Sequence, residues 1–185
     1  MSWVMNRLLQ HKTDWELSPG SSGGVCANMP VAGVGICAGG GSLRASRGTT
    51  TQATLAYSIV TRGVGISISL VGSIYGSLEH WPSGNPGGLW TRSGASSFQL
   101  SDLYGHMMVL SVSKGNVGAS SDLSVHFFGV PQFVARHAGS SSFGPAAAMA
   151  TAKAVGIVWG ITMRTEIHVG GISLGTGYLL DISRD

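Results

Sequence analysis

Apolar and polar residues alternate with a period of two along much of this chain. Over 64–74, Val64, Ile66, Ile68, Leu70 and Ile74 share one face, and Gly65, Ser67, Ser69, Val71 and Ser73 share the other. Over 155–169, Val155, Ile157, Trp159, Ile161, Met163, Ile167 and Val169 alternate with Gly156, Val158, Gly160, Thr162, Arg164, Glu166 and His168. Gly170-Gly171 follows, and the alternation resumes through Ile172, Leu174, Tyr178, Leu180 and Ile182. Successive side chains of a strand point to opposite faces, so this pattern predicts half-buried antiparallel strands. A Gly-Gly pair takes positive φ without strain, so 155–182 reads as one long β-hairpin. Ile66, Ile68, Leu70, Ile157, Trp159, Ile161, Leu174, Tyr178 and Leu180 are expected to point together into the core.

Weaker strand patterns fall at 31–38, 52–61, 97–103, 106–113 and 122–130. The segments 82–96 and 114–121 carry turn residues. Near the start, Val4, Met5, Leu8 and Leu9 recur at helical spacing, which predicts an amphipathic helix over 1–17. Residues 18–24 (SPGSSGG) read as a linker, leaving 25–185 as one β-rich domain. Ser141-Ser142, Pro145 and the alanines 146–148 predict a helix over 145–154. Many short strands with glycine-rich turns make the expected fold mainly β, an antiparallel sandwich or small barrel with a short N-terminal helix.

Composition narrows the function classes. Charged residues are only 10% of the 185, against about 25% in ordinary domains. There are 29 glycines, with no three-residue collagen period. With 43% hydrophobic residues and a net charge of +3, disorder is not expected. Arg44, Arg47, Arg62, Arg92, Arg136 and Arg164 are scattered rather than clustered, which argues against nucleic acid as a partner. No acidic residue lies between Leu17 and Leu78, so the surface there suits an anionic partner such as a membrane. The first residues, Met1 to Arg7, lack an apolar stretch and a small-residue cleavage site, so no classical signal peptide is read there. The expectation is synthesis in the cytoplasm and export by a route that does not need that signal. Cys26 and Cys37 fit either one disulfide or two thiols, and their spacing is not a zinc pattern.

Few motifs carry chemistry. Gly33 to Ala38 fits the letters of a dinucleotide fingerprint, GxGxxA, but lacks the acidic residue about 20 positions on. Asp122 and His126, and likewise Glu166 and His168, share a strand face. Each pair is expected to be solvated on an outer face rather than to act in acid-base work. No catalytic, cofactor-binding or metal-binding residue is assigned. Trp81 and Trp90 bracket a Pro/Gly loop, where exposed indoles can anchor at a membrane interface or close one end of the core.

Small residues recur every four positions at Gly144, Ala148, Ala152, Gly156 and Gly160, and Gly35/Gly39 and Gly72/Gly76 are further GxxxG pairs. Such spacing lets helices pack closely in lipid. On these residues the chain resembles the small glycine-zipper, pore-forming antibacterial effectors exported by bacterial type VI secretion. It departs from them at Lys153 and in its regular strand alternation. The resemblance implies a toxin that leaks ions across a target membrane, with lipid as its partner. It also implies a carrier from the secretion apparatus and an immunity protein in the producing cell, and insertion of a β-hairpin would require its edges to pair by closure into a homo-oligomer. Bulk at Gly156 or Gly160 is then expected to abolish leakage while the soluble fold survives. The alternative is a soluble β-barrel or sandwich that binds a small ligand, a sugar or a protein.

Overall fold

The computed structural model describes residues 11–29, 34–49, 51–67, 87–91, 98–137 and 144–184. Six strands carry nearly all of it: β1 (His11–Met29), β2 (Val34–Arg47), β3 (Thr51–Ser67), β4 (Gly87–Thr91), β5 (Gly105–Phe128) and β6 (Ala154–Arg184). Two short helices, α1 (Gln132–His137) and α2 (Gly144–Thr151), lie between β5 and β6, and a 3-10 turn spans Leu100–Leu103. All pairings are antiparallel, in the order β3-β2-β1-β4-β6-β5, and a further β3–β6 pairing closes the sheet. The mainly β expectation is met, in its barrel form.

β5 and β6 each pass through the wall twice, so the closed barrel has eight strand segments. Residues 105–114 of β5 pair with 170–179 of β6, and 119–128 pair with 154–163. The ribbon they form doubles back on itself. Its two arms meet where Val130 N–H donates to His106 C=O at 2.9 Å and where the Ser111 and Ser124 hydroxyls lie 2.8 Å apart. The predicted hairpin at Gly170-Gly171 therefore does not form. These glycines stay in strand, opposite Lys114 and Ser113. Glycine permits a turn without requiring one, and a partner strand of 24 residues satisfies the backbone through that point. For the same reason 114–121 is strand rather than loop.

β1 corrects a second expectation. Residues 11–17 and the SPGSSGG segment both belong to it, while 1–10 lie outside the described residues. Thr13, Trp15, Leu17 and Pro19 are buried, and Lys12, Asp14 and Glu16 are exposed. That alternation of two makes 11–17 strand rather than helix. A register shift between Pro19 and Ser22 lets the proline sit in the sheet at an irregularity. Cys26 and Cys37 are direct partners across the β1–β2 ladder. The helix expected over 145–154 is present as α2. Residues 100–103, expected as strand, form the 3-10 turn, in which Asp102 accepts from Gln99 N–H at 3.0 Å.

The core is in two parts. The larger fills the barrel at the end where the 3-10 turn sits, here the lower end, with Trp15, Leu17, Leu55, Leu89, Phe128 and Leu179 among its members. Leu100 and Leu103 close that mouth. Gly156 supports the packing: a Cβ there would collide with Leu17 Cδ1 and lie 3.1 Å from Phe128 Cε2. The smaller part lies outside the barrel, where α1 and α2 cover Met108, Phe127 and Val155.

Candidate functional site

The side-chain pattern reverses along the barrel. In the lower half it is that of a soluble protein, with Trp15, Leu17, Leu43, Leu55 and Phe128 inside and Lys12, Asp14, Glu16, Arg44 and Arg47 outside. Arg47 pairs with Asp14 at 3.1 Å, with both side chains in water, a contact of little net energy. Further up the same strands the large apolar residues turn outward. Trp159 is 54% exposed and Ile172 59%, with Ile36, Val60 and Val112 also exposed. The ladders join two of them, Val112 and Ile172, and set Trp159 opposite the half-buried Leu123.

The inner face at this height mixes small polar residues with Ile59, Val109 and Val158. Ser124 is fully buried, and Ser111, Thr61 and Gly175 stand near it in the wall. Gly175 leaves room for its neighbours, since a Cβ there would lie 2.5 Å from Ile59 Cδ1 and 2.7 Å from Thr61 Cγ2. Between this zone and the apolar plug sits His126, 4% exposed. Its ring stacks on Phe128 at 6.0 Å and meets Tyr57 edge-on at 6.5 Å. Among the described residues its Nδ1 has no hydrogen-bond partner. Burial alone pushes the imidazole down to about 4 and the Tyr57 phenol up to about 12, because both charged forms would be desolvated.

The alternation was legible in the sequence, but its facing was inverted. Trp159, Tyr178 and Leu180, expected inside, point outward, and Leu180 is 59% exposed. Gly156 and Val158, their expected polar-face partners, are buried in the lumen. Ile157 and Leu174 are also on the outer side, half-buried, with Leu174 against the helical layer. Ile68 and Leu70 lie outside the described residues, and the side chains of Ile66 and Ile161 are not among those described. His126 corrects the Asp122/His126 expectation: it faces the lumen instead of solvent. Of the GxGxxA letters, Val34 to Ala38 lie on β2 rather than at a helix start that could hold a pyrophosphate, and Gly33 lies outside the described residues.

The small-residue run is likewise divided. Gly144 and Ala148 are buried on α2 and Ala152 directly after it, whereas Gly156 and Gly160 belong to β6. No single helix carries all five, and among the described residues no helix is long and apolar enough to cross a membrane. Gly72, Gly76 and Trp81 lie outside the described residues. Trp90 is on β4, within the segment expected to be loop, half-buried with its ring over Gly88. Sequence reasoning missed Ser111, Ser124 and Tyr57. The available signal was a polar residue at every second position beside Val109 and Phe128, on what turned out to be the inner face. Among the described residues no group of three metal-ligating side chains forms. No family model, curated protein or solved structure matches the chain.

Proposed function

We propose that the chain acts on membranes. The upper half of the barrel enters a bilayer through its outward apolar band, and the plugged lower half stays in water. The observation that supports this reading is the uncovered apolar outer face around Trp159, Val112 and Ile172, over a lumen wall in which serine, threonine and glycine are frequent; an outward apolar band is a mark of a membrane-spanning barrel. A soluble protein keeps its large exposed apolar patches for partners, and lipid is the partner that accepts a band of this kind. Closure matters here, because an open sheet edge in hydrocarbon leaves backbone groups unpaired.

Eight strands enclose a lumen that side chains can nearly fill, so the leak is confined to small ions and requires the Trp15–Leu17–Phe128 plug to shift. In this reading the protein is a secreted toxin of the pore-forming kind, with a secretion carrier, an immunity protein and self-assembly on the membrane as the partners it would need. Potassium-loaded vesicles carrying a trapped fluorescein dye test it. The expected result is potassium release with the dye retained, together with quenching of Trp159 by brominated lipid, scored against Trp159→Phe. Absence of both potassium release and quenching would reject the reading in favour of a soluble barrel that binds a small ligand, a sugar or a protein.

A further inference from the structure

A shallow groove of about 360 Å³ lies on the outside of the barrel, where α1 meets β2, β3 and β6. Its floor includes Ala38, Val60 and Tyr178, and its rim carries Arg136 and His106. The His106 ring meets Tyr178 edge-on at 5.2 Å, which fixes the imidazole at that rim. Arg136, in the last turn of α1, is exposed and has no carboxylate partner among the described residues. The groove stands at the boundary of the two halves. Val60 and Ile36 lead upward toward the exposed apolar band, with Arg62 at the register position opposite Ile36, while Arg44, five residues along β2 from Gly39, lies among the polar residues of the lower half.

We propose that this groove seats one anionic phospholipid, a proposal that rests on the membrane reading and names the lipid class. The Arg136 guanidinium holds the phosphate, His106 adds a second donor, and an acyl chain follows Val60 toward Ile36. A guanidinium fork matches two phosphate oxygens at once. The apolar floor and its continuity with the band select a lipid over a free phosphate ion, which would use the rim alone. The site also lies where an inserted barrel would meet headgroups, a depth at which aromatic rings such as Tyr178 collect.

Sedimentation with vesicles of phosphatidylcholine alone, or with added phosphatidylglycerol, tests the proposal. The wild type is expected to prefer the mixed vesicles. Arg136→Gln should lower its partition onto them about fivefold, the value of one cation held near an anionic surface, and leave partition onto phosphatidylcholine unchanged. Arg136→Lys keeps the charge without the fork and should fall between the two. Arg44→Gln removes the same charge about 17 Å down the strand from the groove's Gly39, beyond the screening length of about 10 Å at 0.1 M salt, and should have almost no effect. Equal losses in Arg136→Gln and Arg44→Gln would mean diffuse attraction and overturn the site. Competition by millimolar inorganic phosphate would make it an ion site and overturn the lipid assignment. Equal partition of wild type and Arg136→Gln on both vesicles overturns the groove but leaves the membrane reading standing, whereas a wild type that sediments with neither vesicle overturns both.

Discussion

The two halves of the barrel are built from the same strands but differ in what covers their outer face. On β6, the lower stretch puts Ala154, Gly156 and Val158 inside against Leu17, Leu89 and Phe128, and Val155 outside under the helical layer. Further along, Trp159 and Ile172 also face out and are exposed. Neither half violates the pleat. On β6 the outward apolar residues lose their cover, and on β2 and β3 the outer face changes from Arg44 to Ile36 and Val60. A strand pattern therefore defines a pair of faces, and the surroundings decide which of them is dry.

The sharpest way to break this comparison is to truncate one large apolar residue in each half. Phe128→Ala, in the plug, should cost about 3–5 kcal/mol in urea unfolding, as for a buried aromatic. If an outward residue such as Trp159 cost as much, the assigned facing would be wrong. The next largest effect is that of pH. His126 stays neutral in the folded barrel down to about 4, whereas in the unfolded chain it takes a proton near 6.5. The folded state binds fewer protons in that window, so stability is full above pH 6.5 and is lost as pH falls toward 4, by about 3 kcal/mol. Urea midpoints across that range should show the slope, and His126→Leu should flatten it.

Smaller effects separate the lumen from the band. Ser124→Ala leaves the Ser111 hydroxyl without its partner and should cost about 1 kcal/mol. Ile172→Ser and Trp159→Ser should each change solution stability by less than about 0.5 kcal/mol, as surface substitutions do. Both should nevertheless reduce vesicle leakage. A leakage rate unchanged in the double variant would detach the band from the proposed activity.

The strand content and the barrel were legible because period-two alternation survives at 155–182 and 64–67, whichever way the strands face. The direction of the faces was not, since Trp159 and Ile172 look like core residues when burial is assumed. Of the helix expected over 1–17, residues 11–17 are strand because Thr13, Trp15 and Leu17 set a period of two, and the hairpin failed because Gly170-Gly171 also fits an extended ladder. Gly156 shows the cost of an inverted facing most directly. Read as a packing surface for membranes, it was expected to accept leucine without loss of fold. In the barrel the Leu17 side chain occupies the space where its Cβ would be, so Gly156→Leu should unfold the lower half first. The candidate groove was invisible for another reason: Ala38, His106, Arg136 and Tyr178 come together only when the barrel closes.

Closure also shapes how the chain comes to its native state. β6 alone contacts β3, β4 and β5, and its pairing with β3 joins residues as far apart as Ala53 and Arg184. Such distant pairing makes for slow folding, on the scale of milliseconds to seconds, because the entropy of closing the ring is lost before most of its contacts form. Until 172–184 dock, β3 presents a bare edge of hydrogen-bonding groups, a template on which other chains can add. β6 thus acts as the clasp of the ring. A truncation within it should yield an aggregating sheet rather than a smaller barrel, and a chaperone that shields the β3 edge would help this protein more than one that only covers apolar surface.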